Sequence, residues 1–296
     1  MSAVEFPAAT AAGTRRPVEP SVRRRRKLLV IANHSVAIAV SIAFLVPFVF
    51  IIATSLMTNQ QALSPNVWPH PFVWSNYKTV FESFPFVRYT LNTVTYAGLA
   101  TLGVLLSCTP VAYALSRLRW KGRDAVFLLV LVAMMLPPQV TIVPLYVMWA
   151  KLNLVGTLWP LILPNLFGDA FSIFLLRQFL LTIPSEYIDA AKVDGCSDFR
   201  AMIHVVVPMA KPAIAAVALF QFFFCWNDYF GPQIYASENP GAWTLSYGLE
   251  SFKSAHHTDW NLTMAATLLV MAPVIIVFFF AQKAFIEGVT LTGVKG

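Results

Sequence analysis

Three places put polar side chains where an apolar chain bears them at the highest cost. Asp169 falls near the middle of the apolar stretch 157–177, Asn227 and Asp228 in the outer half of 212–235, and Pro137-Pro138-Gln139 near the middle of 125–148. Ionisable and amide side chains at such depth are rare in hydrocarbon and mark polar pathways. Trp226, Tyr229 and Phe230 surround the Asn227-Asp228 pair. A few placed hydrogen-bonding groups in an aromatic wall can bind a polar solute without transforming it. Two adjacent prolines break a helix and free carbonyls for the same use. Each place also has a structural reading. Asp169 beside Gly168 can bond a neighbouring helix, and the aromatic cluster can be ordinary packing near the outer interface.

Catalytic patterns are missing. There is no Ser/His pairing, no His/Glu metal spacing and no catalytic carboxylate pair. Gly288 to Gly293 has the glycine spacing of a phosphate-binding loop, but its lysine comes one position late and no Ser or Thr follows. ATP, if it drives this protein, must therefore be bound by a partner, and no cofactor is expected on this chain. His256-His257 with Asp259 reads as a solvated loop rather than a metal site. Cys108, Cys196 and Cys225 are scattered and give no basis for a disulfide or structural zinc.

The elements that must position these residues follow from composition. Of 296 residues, 57% are hydrophobic and only 12% charged, about half the charged share of a soluble domain. The expected class is all-α: a polytopic membrane protein with six transmembrane helices near 28–56, 89–115, 125–148, 157–177, 212–235 and 261–284. With the N-terminus inside, 17 of the 21 Lys and Arg fall on cytoplasmic segments, which sets the orientation. The net charge of +7 is then a membrane signature and calls for no nucleic acid. Residues 1–27, rich in Ala, Pro and Arg, are expected to form a disordered basic cytoplasmic tail. The apolar stretch after them exceeds a cleavable signal core, so it is expected to stay as the first span. The membrane body would be 28–286, with a cytoplasmic loop at 184–212 and a cytoplasmic tail at 287–296.

That loop is too charged to span and too patterned to be slack. Ser185 can cap a helix with Glu186 and Asp189 in its first turn, and Gly195 can supply the left-handed residue that ends it. Ser197 can cap a second helix in which Phe199, Ile203 and Val206 form an apolar stripe. Pro208 and Pro212 mark the turn into the next span. On physical grounds the pair is either an amphipathic connector on the inner leaflet or a docking element for a soluble partner.

Asp189-Ala190-Ala191, then three residues, Gly195, nine residues and Val205-Val206-Val207-Pro208 resemble the EAA motif of ABC importer permeases, with Asp in place of Glu. "MLPPQVTIVPLY", "FSIFLLRQFLLTIP", "WNDYF" and the ending "GVTLTGVKG" look like the MalG-type permeases of carbohydrate ABC importers. The resemblance covers nearly all of the chain after the tail. It implies a coupling helix seated in a cleft of a separate ATPase, which binds ATP and Mg. Asp189, Ala190, Ala191, Asp194, Gly195, Arg200 and Pro208 would form that joint. It also implies a second permease subunit, two ATPase subunits, an extracytoplasmic solute-binding protein and a multi-pass place in the cell membrane. Gln139, Asp169, Trp226, Asn227, Asp228 and Tyr229 are the candidates for contact with a sugar, whose hydroxyls suit carboxylates and amides and whose apolar faces suit aromatic rings.

Two other classes are weighed beside this one. A self-powered secondary transporter would use Asp169 for a coupling ion, but no internal repeat is evident and the charged helix pair would have no purpose. An importer of a non-sugar solute such as glycerol phosphate shares every motif named above.

Overall fold

The computed structural model describes residues 20–83, 85–252 and 258–293. Its elements are helices, with no strand among the described residues. In order they are α1 (Pro20–Ser55), α2 (Asn59–Ala62), α3 (Ser75–Ser83), α4 (Phe86–Arg117), α5 (Arg123–Met135), α6 (Pro138–Lys151), α7 (Trp159–Ile162) and α8 (Ala170–Thr182). Then come α9 (Glu186–Val193), α10 (Asp198–Ala201), α11 (Val207–Met209), α12 (Lys211–Asn227), α13 (Phe230–Tyr235), α14 (Leu245–Gly248) and α15 (Trp260–Gly293).

Four segments are long and apolar enough to cross a membrane: Lys27–Ser55, Phe86–Arg117, Trp159–Thr182 and Trp260–Gln282. Two further candidates are bent pairs, the first broken at Pro137-Pro138 as the sequence indicates. α5 and α6 meet at 93°. Leu136 and Pro137 are both extended there, as a residue before proline is pushed to be. The stretch expected as 212–235 stops at Asp228, whose ψ of 112° leaves the helical region. What remains, α12, has 17 residues, roughly 25 Å at 1.5 Å per residue. It follows Asp198–Met209 at an angle of 79°.

Contacts divide the chain into Met1–Ile51 and Ile52–Gly296. In the first unit α1 begins at Pro20, so 20–27 are helical rather than a disordered tail; residues 1–19 lie outside the described residues. From Leu28 to Phe50 the helix is exposed on every face, and an apolar helix bare all round belongs against lipid or another chain.

In the second unit α4 is the central element, packed against both α8 and α12, and α12 packs in turn on α15. The contacts use small residues: Ala97, Ala100 and Ala112 on α4, Ala213 and Ala216 on α12, Ala265 and Ala266 on α15, all buried. Without water to drive helices together, close backbone approach is what makes them adhere. Gly103 carries this furthest, since a Cβ there would lie 3.2 Å from the Asn165 carbonyl oxygen.

The opposite end from the charged helix pair is tied by Asn76. Its Nδ2 donates to the Ser55 and Met57 carbonyls at 2.8 Å each, and its Oδ1 accepts from Asn261 Nδ2 at 3.2 Å. Replacing Asn76 with Leu strands two carbonyls and one amide. We expect it to cost about 2 kcal/mol or more, read as an earlier thermal transition of the detergent-solubilised protein. Asn261→Ala, which strands one oxygen, should shift the transition less.

Candidate functional site

The charged segment folds as a helix, a left-handed glycine and a second helix. Ser185 precedes α9, but its hydroxyl caps nothing and its carbonyl takes the Ile188 and Asp189 N–H groups instead. At the other end Gly195 has φ +81°, and Cys196 N–H reaches back to the Ala191 carbonyl at 2.9 Å. Ser197 Oγ caps α10 by accepting from Arg200 N at 3.4 Å. The expected Phe199–Ile203–Val206 stripe does not form. Between α10 and α11, Met202–Val206 is a π turn, with Val207 N–H bonded five residues back to Met202. Pro208 follows and offers no N–H to the His204 carbonyl, which an α-helix would require. The wider turn rotates the register, so Ala201, Met202 and Val206 are buried while Phe199 and Ile203 are exposed.

The pair therefore has two unlike faces. Inward, Ile188, Met202 and Val206 join one apolar cluster with Tyr113 and Leu115 of α4, Leu176 and Leu180 of α8, and Ala213 and Val217 of α12. Outward, Val193 is 88% and Phe199 65% exposed, with Tyr187 also bare. Glu186, Asp189, Asp194 and Arg200 are exposed among them. An apolar patch rimmed by charge marks an interaction surface. Beside it opens a pocket of about 940 Å³ bounded by Arg117, Arg119, Arg123, Asp189, Lys192 and Asp198. Lys192 and Asp198 pair across it at 2.7 Å, and that hydrogen bond holds the lysine above its ordinary range. The lysine therefore keeps its charge through neutral pH and gives up this contact as alkaline conditions deprotonate the amine.

Two arginines absent from the sequence-derived candidates lock this end of the spans. Arg117 Nη2 donates to the Leu180 and Ile183 carbonyls at the end of α8. Arg177 Nε donates to the Leu115 carbonyl at 3.1 Å, with its guanidinium 3.8 Å from the Phe127 ring centre.

Within the membrane the chain breaks at Gly168, whose φ is +99°, between a 3₁₀ turn at Leu163–Phe167 and α8. Asp169 caps α8, its Oδ2 accepting from Ser172 N and Ser172 Oγ at 2.7 Å each. It also borders a cavity of about 400 Å³ with Asn165, Ser172, Gln221, Phe171, Phe220 and Phe224. Asn165 and Gln221 were not singled out from sequence. Their signal was available: Gln221 interrupts the run Phe220-Gln221-Phe222-Phe223-Phe224. Gln221 Nε2 donates to Asn165 Oδ1 at 2.9 Å.

The other pathway candidates are not brought to this cavity. Trp226 is 3% exposed and donates Nε1–H to the Val270 carbonyl at 3.2 Å. It is a core residue, which corrects its assignment to a solute-facing wall. Asp228 is a structural tie: it accepts from Tyr96 OH and from Gly231 N, both at 2.9 Å, so it fastens the break after α12 to α4. Asn227 is exposed and donates to the Phe223 carbonyl of its own helix. Tyr229 lies against Tyr247, ring centres 5.6 Å apart, with Glu250 in hydrogen-bonding reach of its hydroxyl. Gln139 is exposed in the first turn of α6. His256 and His257 lie outside the described residues.

A family described as "Binding-protein-dependent transport system inner membrane component" matches residues 99–290. The chain is similar to the sn-glycerol-3-phosphate transport system permease protein of Yersinia pestis, 31% identical over 276 residues, 90% of this chain and 98% of that one. It is also similar to the arabinooligosaccharides transport system permease protein of Bacillus subtilis, 29% identical over 261 residues, 86% of this chain and 92% of the relative. Among solved structures, one chain of a bacterial ABC transporter involved in the import of the acidic polysaccharide alginate superposes with a TM-score of 0.77. It is 23% identical, and the match covers 91% of this chain and 99% of that one.

The capping geometry separates two roles of Asp169. Asparagine caps a helix as well as aspartate does, whereas alanine loses about 1 kcal/mol. If the cap is all that matters, Asp169→Asn keeps both thermal stability and uptake, and Asp169→Ala lowers stability alone. If the carboxylate also faces the passing solute, Asp169→Asn raises the KM for uptake severalfold at unchanged stability. Melting curves and initial uptake rates on the same three preparations distinguish the two.

Proposed function

The chain belongs to the inner membrane components of binding-protein-dependent transport systems, and from that premise we propose that it forms half of an ATP-driven import pathway for a sugar or small oligosaccharide. The observation that carries the coupling mechanism is the two-faced helix pair at 186–208. Its outer face, with Tyr187, Val193 and Phe199 bare among charges, suits a cleft on a soluble ATPase subunit. Its inner face is continuous with the core of α4, α8 and α12. A push on the outer face is delivered to three spans as one body, because close-packed interiors transmit displacement instead of absorbing it.

The other parts follow by chemistry. ATP and Mg belong to the partner ATPases, two of them, one per permease. A second permease subunit supplies the other half of the pathway, and a solute-binding protein delivers from outside. The Lys and Arg distribution supports a cytoplasmic position for both termini and the helix pair. ATP-driven closure of the ATPases brings the two helix pairs together and opens the spans outward; hydrolysis returns them. The arabinooligosaccharide permease similarity favours a carbohydrate, and the contents of the membrane cavity add to that below.

Gly195 offers the test. Nothing in this chain lies within 4 Å of a Cβ built there, so a larger side chain meets only backbone strain from within, about 1–2 kcal/mol for an ordinary residue at positive φ. Asn tolerates that conformation. We expect Gly195→Asn to retain the ATPase through affinity purification in mild detergent, and Gly195→Trp to insert normally but recover at least tenfold less ATPase. Full ATPase recovery and uptake by the Trp variant would rule out docking at this segment.

A further inference from the structure

We propose that the cavity beneath the Gly168 break is a solute-contact site on this chain, built for a neutral ligand that donates hydroxyl hydrogens and excluding phosphorylated or carboxylated ones. The proposal rests on the importer reading above and narrows its substrate class.

The hydrogen-bond inventory of the cavity leads to this. Asn165 Nδ2 donates to the Leu161 carbonyl at 2.8 Å, which fixes the orientation of that amide. Its Oδ1 must then face Gln221, and Gln221 must present Nε2 to it. The same Nε2 lies 3.2 Å from Cys225 Sγ. Both hydrogens of Gln221 are thereby directed at partners, and its Oε1 accepts from no group among the described residues. Gln221 borders the cavity, so this oxygen is an acceptor left open to a ligand.

Asp169 repeats the pattern. Its Oδ2 is used twice by Ser172, while Oδ1 takes no bond among the described residues. The Ser172 hydroxyl has already given its hydrogen to Asp169. One hydrogen of Asn165 Nδ2 stays uncommitted, while two acceptors, Gln221 Oε1 and Asp169 Oδ1, remain open. No Lys, Arg or His borders the cavity. An anionic solute would meet the Asp169 carboxylate with no cationic side chain to answer its charge, and like-charge contact costs several kcal/mol. A sugar or polyol hydroxyl supplies the missing donors.

The remaining wall is aromatic. Phe171 and Phe220 meet edge to face, ring centres 6.1 Å apart, and Phe224 is exposed beside them. Such rings accept the C–H faces of a pyranose or furanose. At about 400 Å³ the cavity stands near the low end of ligand sites, which run ~300–1,000 Å³. It holds a small solute or one ring of a longer one.

The test uses the assembled importer, with its partner permease, ATPases and binding protein, in sealed vesicles. ATP-dependent uptake is measured for maltose, arabinotriose and sorbitol, and for sn-glycerol 3-phosphate and glucuronate. We expect uptake within the first group alone. Gln221→Leu and Phe224→Ala should each lower the maximal rate at least tenfold while ATPase recovery is unchanged. Phe224 is exposed and outside the buried clusters, so its variant remains informative if Gln221→Leu assembles poorly. Uptake of glycerol phosphate or glucuronate overturns the proposal, as does neutral uptake indifferent to both variants; either leaves the importer reading standing. No ATP-dependent uptake of any of the five overturns the importer reading, and this inference with it.

Discussion

One apolar core joins the charged helix pair at 186–208 to the adjoining ends of three spans. Ile188, Met202 and Val206 stand in it with Leu176, Leu180 and Val217. Outside the bilayer each of the first three gains about 1.5–3 kcal/mol by burial. No comparable gain exists for Tyr187, Val193 or Phe199, which stay uncovered. The asymmetry is what favours the proposed docking role over a simple connector. A connector lying on lipid would bury its apolar side in the leaflet and keep charge on the other. Here apolar side chains occupy both faces. One set is spent on the spans, and the other is left for a surface that arrives from elsewhere. The π turn at Met202–Val206 makes this possible, because it turns Phe199 outward while keeping Val206 in.

A second constraint acts higher up, where hydrocarbon forbids unpaired backbone. The spans are broken at Gly168 and at Asp228, and each break is closed by a carboxylate. Asp169 caps α8 through Ser172, and Asp228 holds Gly231 N–H and the Tyr96 hydroxyl. The two acids look alike in sequence, each an isolated Asp in an apolar run. The structure separates them by what is left over. Asp228 has each oxygen engaged by this chain, one by Gly231 and one by Tyr96. Asp169 keeps one oxygen open beside a cavity. Depth in a span therefore locates a polar residue but does not tell a brace from a binding group; the count of unfilled bonds does.

The sequence was legible where local rules operate. Gly195 in the left-handed region, Ser197 as a cap and the break at Pro137-Pro138 all follow from steric and hydrogen-bonding preferences of single residues. The spacing of Ala190, Ala191, Gly195 and Pro208 carried the family resemblance, and the family match confirms that resemblance. Legibility failed where three-dimensional neighbours choose. Ser185 had the right type for a cap, yet its carbonyl took the first N–H groups. Trp226, grouped with Asn227 and Tyr229 by adjacency, points into the core because a 100° step per residue carries it to another face. Asn165 and Gln221 are 56 positions apart, and no local pattern pairs them.

The same separation explains why relatives of one fold serve solutes as unlike as an arabinooligosaccharide and glycerol 3-phosphate. The helix pair and the core behind it are fixed by the need to move three spans together, and any solute can use that motion. The cavity has no such duty. Changing Gln221 to a basic residue would set a cation beside the Asp169 carboxylate, yet the packing of Tyr113, Leu176 and Val206 would stay as it is. Coupling and selectivity thus occupy different residues on the same helices: α8 and α12 turn one stretch of their length toward the joint and another toward the cavity. A permease built this way can change its cargo by side-chain substitution without altering its engine.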